Sequence, residues 1–228
     1  MAAHLRHLVK LLKDPHSPSP CSDAMAHLTA LFDRTVSATD RSRLACRQGC
    51  AHCCSQRVTV SPPEAFFVAA QLRARPEALP AVENGAARMR ALAGTRSHEA
   101  IRCPLLAGAL CTVYAARPLA CRGFVSLDVN ACIAFERAGR PNVAMPAGII
   151  EILYCCRMML VAAQRLLGLK EGAYEMNEAV AAALAQDGAE SRWLKGEAVL
   201  AHLDGGPPPP SDFNAEIQRM VAFIAPTL

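Results

Sequence analysis

With 228 residues the chain is long enough for one domain with a real hydrophobic core. Its 52% hydrophobic content is largely Ala and Leu, with only 5% aromatic residues, which favours helices and argues against a strand-rich fold. The net charge of +4 is split unevenly: residues 1–122 carry 16 Lys/Arg against 8 Asp/Glu, and residues 123–228 carry 8 against 12.

Residues 4–13 read as a short helix with Leu5, Leu8, Leu11 and Leu12 on one face. The same segment lacks an apolar core and a small-residue cleavage site, so no signal peptide is read there. Pro15, Pro18 and Pro20 break the helix, and a second is expected from an N-cap at Ser22 to about Thr39. Residues 46–54 form a cysteine loop in which Gly49 supplies backbone freedom. Gln56 to Val60 reads as a short extended segment. Ser61-Pro62-Pro63-Glu64 then opens a helix that runs until Pro76, and another helix spans 80–96. Ile101 to Cys132 is rich in turn residues, has little periodicity and is expected to be irregular.

Pro146 opens the clearest helix, 147–168, with Ile149, Leu153, Cys156, Leu160 and Leu167 on its stripe and Gly168 as a C-cap. Charged and amide residues interrupt the apolar run Ile149 to Leu169, so it reads as a buried amphipathic helix and no membrane span is expected. Helices at 173–186 and 190–203 follow, then a stiff Gly205–Pro210 linker and a last helix at 212–224. The resulting division is N-terminal helices at 1–45, a cysteine-cluster metal-binding module at 46–135, and a C-terminal helical extension at 136–228 with a Pro-rich linker at 205–211. The fold class is mainly α, a helical domain built around an irregular, metal-organised module.

The chemistry lies in the cysteines. Cys46, Cys50, Cys53 and Cys54 fall within nine residues, and Cys103, Cys111, Cys121 and Cys132 form a second set. Without export the thiols stay reduced in the cytoplasm, where eleven cysteines point to metal more than to disulfides. Zinc takes four Cys or His ligands, and a [4Fe–4S] cluster takes four thiolates. Eight thiols suffice for two four-ligand sites, or for one cluster plus a redox pair. Neighbouring side chains diverge, so one metal rarely takes both Cys53 and Cys54. Cys54 is then left for a second ion, or for a bridging or reactive role. The arginines of the basic half can offset thiolate charge, or present a surface to an anionic partner. Cys156 reads as core and Cys21 as incidental, and Cys155, one position round the helix, is assigned no role. His52 reads as a ligand or as support for the ligands. His4, His7, His27, His98 and His202 show no ligand spacing and read as surface residues.

The run Cys46-x3-Cys50-x2-Cys53-Cys54, then Cys103-Pro104-Leu105, Cys111, Tyr114-x2-Arg117-Pro118 and Cys121-Arg122, resembles the CxxCxxCC or YkgJ-type cysteine-cluster family. Cys132 looks like the eighth cysteine of that pattern, and the resemblance covers about 46–135. It implies a zinc- or iron-chelating domain, and a relation to flagellin lysine N-methylase-type proteins that carry a similar cysteine domain. No glycine-rich nucleotide loop follows a strand here, so no Rossmann-type methyl-donor site is read. Cys46-x3-Cys50-x2-Cys53 also has the spacing of the radical S-adenosylmethionine loop, but those enzymes need a strand-rich barrel that this sequence does not provide.

The leading reading is a cysteine-rich protein that binds iron, as an iron–sulfur cluster, or else zinc. The Cys-Cys pair and the Cys-Pro flank tilt it towards iron, although thiolates suit both metals. A cluster-dependent enzyme is the alternative, with a pocket lined by Arg117, Arg122 or His52. A third reading is a structural-zinc protein with a nucleic-acid or protein partner. Scattered basic residues and few aromatics disfavour nucleic acid. The C-terminal helices offer a face to a protein partner or a second copy.

Overall fold

The computed structural model describes residues 1–92, 101–138, 143–206 and 210–228. Helix α1 (Ala2–Leu12) and helix α2 (Pro20–Ser37) bury their apolar stripes against each other and against the long helix introduced below. Helix α2 begins earlier than the expected Ser22. Ser19 is its N-cap, and Pro20 occupies the first turn, where a fixed φ suits the helix and a missing N–H leaves nothing unpaired.

Strand β1 (Thr59–Val60) leads into helix α3 (Pro62–Arg73). Glu64 closes the first turn of α3, accepting hydrogen bonds from the Ser61 N–H at 2.8 Å and the Ser61 hydroxyl at 2.7 Å. Helix α4 (Leu79–Ala91) follows, and the expected continuation to residue 96 lies outside the described residues.

The 101–132 segment is more regular than its composition suggested. Strands β2 (Leu106–Ala107) and β3 (Leu110–Cys111) form a hairpin in which Leu106 faces Cys111. A single 3-10 turn at Tyr114–Ala116 precedes helix α5 (Leu119–Gly123), and helix α6 (Val129–Ala138) carries Cys132.

Helix α7 (Ala147–Leu166) packs against α1, α2 and α5 and places Ile149, Leu153, Cys156 and Leu160 in the core. By length and composition it is apolar enough to cross a bilayer, and here that apolar surface covers other helices. Gly168, at φ +64°, ends it as expected. Strand β4 (Tyr174–Glu175) pairs antiparallel with β1, with Thr59 opposite Glu175. Helix α8 (Met176–Ala185) then packs on α3 and α4. Helix α9 (Ala189–Leu194) is far shorter than the expected 190–203, because Gly196 turns the chain at φ +88° and 197–203 continue as turns. Trp193 on α9 packs on Phe66 and donates its indole N–H to the Lys170 carbonyl at 2.8 Å. Helix α10 (Ser211–Ile224) completes the layer on α7. Much of the linker expected at 205–211 lies outside the described residues.

The β1–β4 pair fixes the chain directly after the first cysteine loop, and it depends on a buried acid. Glu175 accepts hydrogen bonds from the Glu178 N–H and the Asn177 side-chain amide, both at 3.0 Å. Burial pushes its carboxyl from the ordinary 4.5 up to about 7, with the Glu178 charge adding to the effect. A folded pKa above the unfolded one means the stabilising contribution is complete below about pH 4.5 and is lost as pH rises through about 7. Glu175→Gln keeps a neutral acceptor. Urea unfolding is expected to show it more stable than the parent by about 3 kcal/mol above pH 8, with the gap closing near pH 4. A gap independent of pH would show that the burial of this carboxyl is not costly.

Candidate metal centre

The first cysteine loop is held from two sides. The Ala45 N–H donates to the Ser126 carbonyl at 2.8 Å, and the Ser126 N–H donates to Cys46 Sγ at 3.3 Å. Gly49, at φ +81°, allows the turn in which the Cys50 N–H reaches the Arg47 carbonyl. Residues His52–Ser55 form one 3-10 turn carrying Cys53 and Cys54. Helix α6 packs on this turn. One Glu136 carboxylate oxygen lies 2.6 Å from His52 Nδ1, and the other accepts from the Ser55 hydroxyl at 2.9 Å. Glu136 and Cys132 are one helical turn apart, so the anchor and the thiol share a face of α6.

The second set is joined to the first by the backbone, since the Cys103 N–H donates to the Cys54 carbonyl at 2.7 Å. The β2–β3 hairpin returns the chain, bringing Cys111 opposite Leu106. Arg75, just past α3, donates to the Thr112 carbonyl at 2.7 Å. Cys121 rides on α5, whose first N–H, from Leu119, is accepted by the second Glu64 oxygen at 2.9 Å. Arg122 lies buried beneath. It pairs with Asp33 of α2 at 2.5 Å and donates to the carbonyls of Arg117 and Ala115.

Burial and neighbouring thiols shift most of the clustered thiols upward. Burial pushes Cys103 up to about 12, and nearby Cys54 and Cys111 add to it. Burial likewise raises Cys121, with Cys103, Cys54 and Cys111 contributing. Cys111 is raised by burial and by Cys54, against the opposing pull of Arg117 and Arg122. Cys132 is raised by burial and then by Cys46 and Cys50. The Cys53 thiol donates to Cys54 sulfur, which holds Cys53 well above the usual thiol range, and it feels both Cys121 and Cys46. The same bond, helped by Arg102 and Arg117, holds Cys54 below that range. Cys103, Cys111 and Cys121 are thus each raised by Cys54, and Cys132 by Cys46 and Cys50.

All eleven cysteines are free thiols. As the side chains stand, no group of three or more His, Cys, Asp or Glu among the described residues is arranged to coordinate an ion. The donor set nevertheless suits a thiophilic metal in type and number. Arg117 supplies an independent sign. Its guanidinium stacks 4.1 Å from the Tyr114 ring centre, and its buried Nε has no hydrogen-bond partner. That N–H lies in a region where the same arginine favours the Cys54 and Cys111 thiolates, and anionic sulfur would accept from it. Thiols raised by burial ionise in the presence of a cation, so loading would release protons.

Sequence spacing found the eight cysteines but missed their supports. Ser126, Glu136 and Glu64 hold them, and only Glu64 carried a signal, the Ser-x-x-Glu start of α3. Arg117 and Arg122 are committed to stacking and to carbonyls. Cys156 is core, Cys155 half-buried, and Cys21 fully buried beside Glu190. His202 is exposed and His98 lies outside the described residues. His7 is exposed, as read, and His4 and His27 are half-buried, but the three are not independent: they meet between α1 and α2.

Because Glu64 spans α3 and α5, Glu64→Ala is expected to cost about 3 kcal/mol in urea unfolding, the range for buried hydrogen bonds to a charged group, and Glu64→Gln less. An alanine variant as stable as the parent would remove Glu64 from its place as the clamp on the Cys121 helix.

No curated protein and no solved structure matches the chain. Residues 45–138, less than half of it, match the family model described as "CxxCxxCC: Putative zinc- or iron-chelating domain", and all eight clustered cysteines lie inside that match. The middle of the chain is therefore similar to this domain, with helices on either side that the family model does not cover.

Proposed function

We propose that this is a cytoplasmic metal-binding protein whose eight thiolates hold iron, as iron–sulfur clusters, or else zinc, in two four-thiolate sites. Cys46, Cys50, Cys53 and Cys132 make one site, and Cys54, Cys103, Cys111 and Cys121 make the other. What supports this reading is the anchoring around Cys53 and Cys54: the Cys103 N–H donates to the Cys54 carbonyl at 2.7 Å, and α6, which carries Cys132, packs on the turn holding both cysteines. Buried thiols crowded together repel one another once ionised, and a multivalent cation in each set removes that penalty. Filling both sites would tie the 46–54 loop to the hairpin, α5 and α6. A strong structural site of this kind contributes on the order of 10 kcal/mol to folding.

The geometry favours chelation over catalysis. A cavity of about 160 Å³ is lined by Gln56, Arg57, Thr59, Ala120, Phe124 and Arg157 among others, and Arg117, Arg122 and His52 do not line it. Of the residues read as an anionic-substrate pocket, His52 and Arg122 are hydrogen-bonded within the protein, and Arg117 stacks on Tyr114.

Purification without oxygen, with iron, zinc and sulfide measured beside the visible spectrum, tests the proposal. Iron with sulfide and a broad band near about 400 nm is expected for thiolate-bound clusters. Colourless protein with two zinc ions per chain keeps the two sites and changes the metal. Cys54→Ser and Cys53→Ser are each expected to lower the metal content by about half, since each removes one ligand of one four-thiolate site. A reduced, folded protein that takes up no metal under any reconstitution overturns the reading.

A further inference from the structure

A second cluster of metal-binding side chains lies away from the cysteines. His4 and His7 sit one turn apart on α1, and His27 faces them from α2. His4 Nδ1 and His27 Nε2 are 3.2 Å apart. The His7 ring meets that of His27 edge-on, with ring centres 4.5 Å apart. The two helices are fixed beneath the rings by Leu5, Leu8 and Leu28, all fully buried, so the imidazoles project from a rigid base.

Two neutral imidazoles at this separation can share a hydrogen bond. The same separation also matches the edge of a zinc tetrahedron, which is about 3.3 Å for Zn–N bonds of about 2.0–2.1 Å. Desolvation, the two neighbouring imidazoles and Arg34 all favour neutral His27, the form that binds metal. The three rings do not yet coordinate as they stand, and His7, which is exposed, has room to turn.

We propose that His4, His7 and His27 form a separate site for one divalent transition-metal ion, zinc foremost. The distance between His4 and His27 sets two ligands, a turn of the His7 ring supplies the third, and water takes the open fourth position. Three imidazoles and one exchangeable position suit zinc, copper or nickel, in contrast to the all-thiolate cysteine sets.

The test is equilibrium dialysis of zinc into the full, reduced chain whose cysteine module is already loaded. One further zinc per chain and a raised melting temperature are expected. His7→Gln, at an exposed position, and His27→Ala should each lose that zinc and keep the metal of the module, and His7→Gln should melt like the parent when the extra zinc is absent. Cys54→Ser should retain it. No further zinc at submillimolar free metal overturns the proposal, as does a further zinc that survives both histidine substitutions.

Discussion

A thiol shielded from water and crowded by other thiols keeps its proton, because each new thiolate would sit in a poor dielectric beside like charges. That constraint governs the middle of this protein. Cys103 and Cys121 are driven up mainly by burial, and the neighbours that raise them further are other cysteines. Such a cluster is costly if its thiolates stand alone and favourable once a cation neutralises them. The arginines are placed in keeping with this. Arg117 and Arg122 lie close enough to favour the Cys111 thiolate, while each is held by the protein's own groups.

The surrounding fold holds the module from outside the thiols. Glu64 joins the start of α3 to the start of α5, Glu136 joins α6 to the turn carrying Cys53 and Cys54, and Ser126 holds the loop at Cys46. Each anchor ends one or a few residues from a cysteine, and none uses a cysteine side chain except the bond from Ser126. Beneath them, α7 and the α1–α2 pair supply a continuous apolar core. The segments that carry the thiols are therefore positioned by helices whose packing does not depend on the thiols.

The helical architecture was legible because Leu, Ile and Met recur at helical spacing in 4–13 and 147–168, and Ser61 with Glu64 spells a helix start. The cysteines were legible because short spacings are needed for convergent ligands. What stayed hidden depends on partners distant in sequence. Strand β4 is two residues long and forms only where it meets β1, which lies in the extended segment read at 56–60. Helix α6 buries only Cys132 among its residues and is positioned by Glu136 on the cysteine turn. The end of α9 at Gly196 overrode a longer apolar pattern. His4, His7 and His27 looked unrelated because no linear spacing reports the contact between two helices.

The most direct measurement of the central claim is X-ray absorption at the metal edge of the protein as purified without oxygen. A first shell of about four sulfur atoms per metal near 2.3 Å is expected, because every ligand in both sets is a cysteine. A first shell dominated by nitrogen or oxygen would contradict the account.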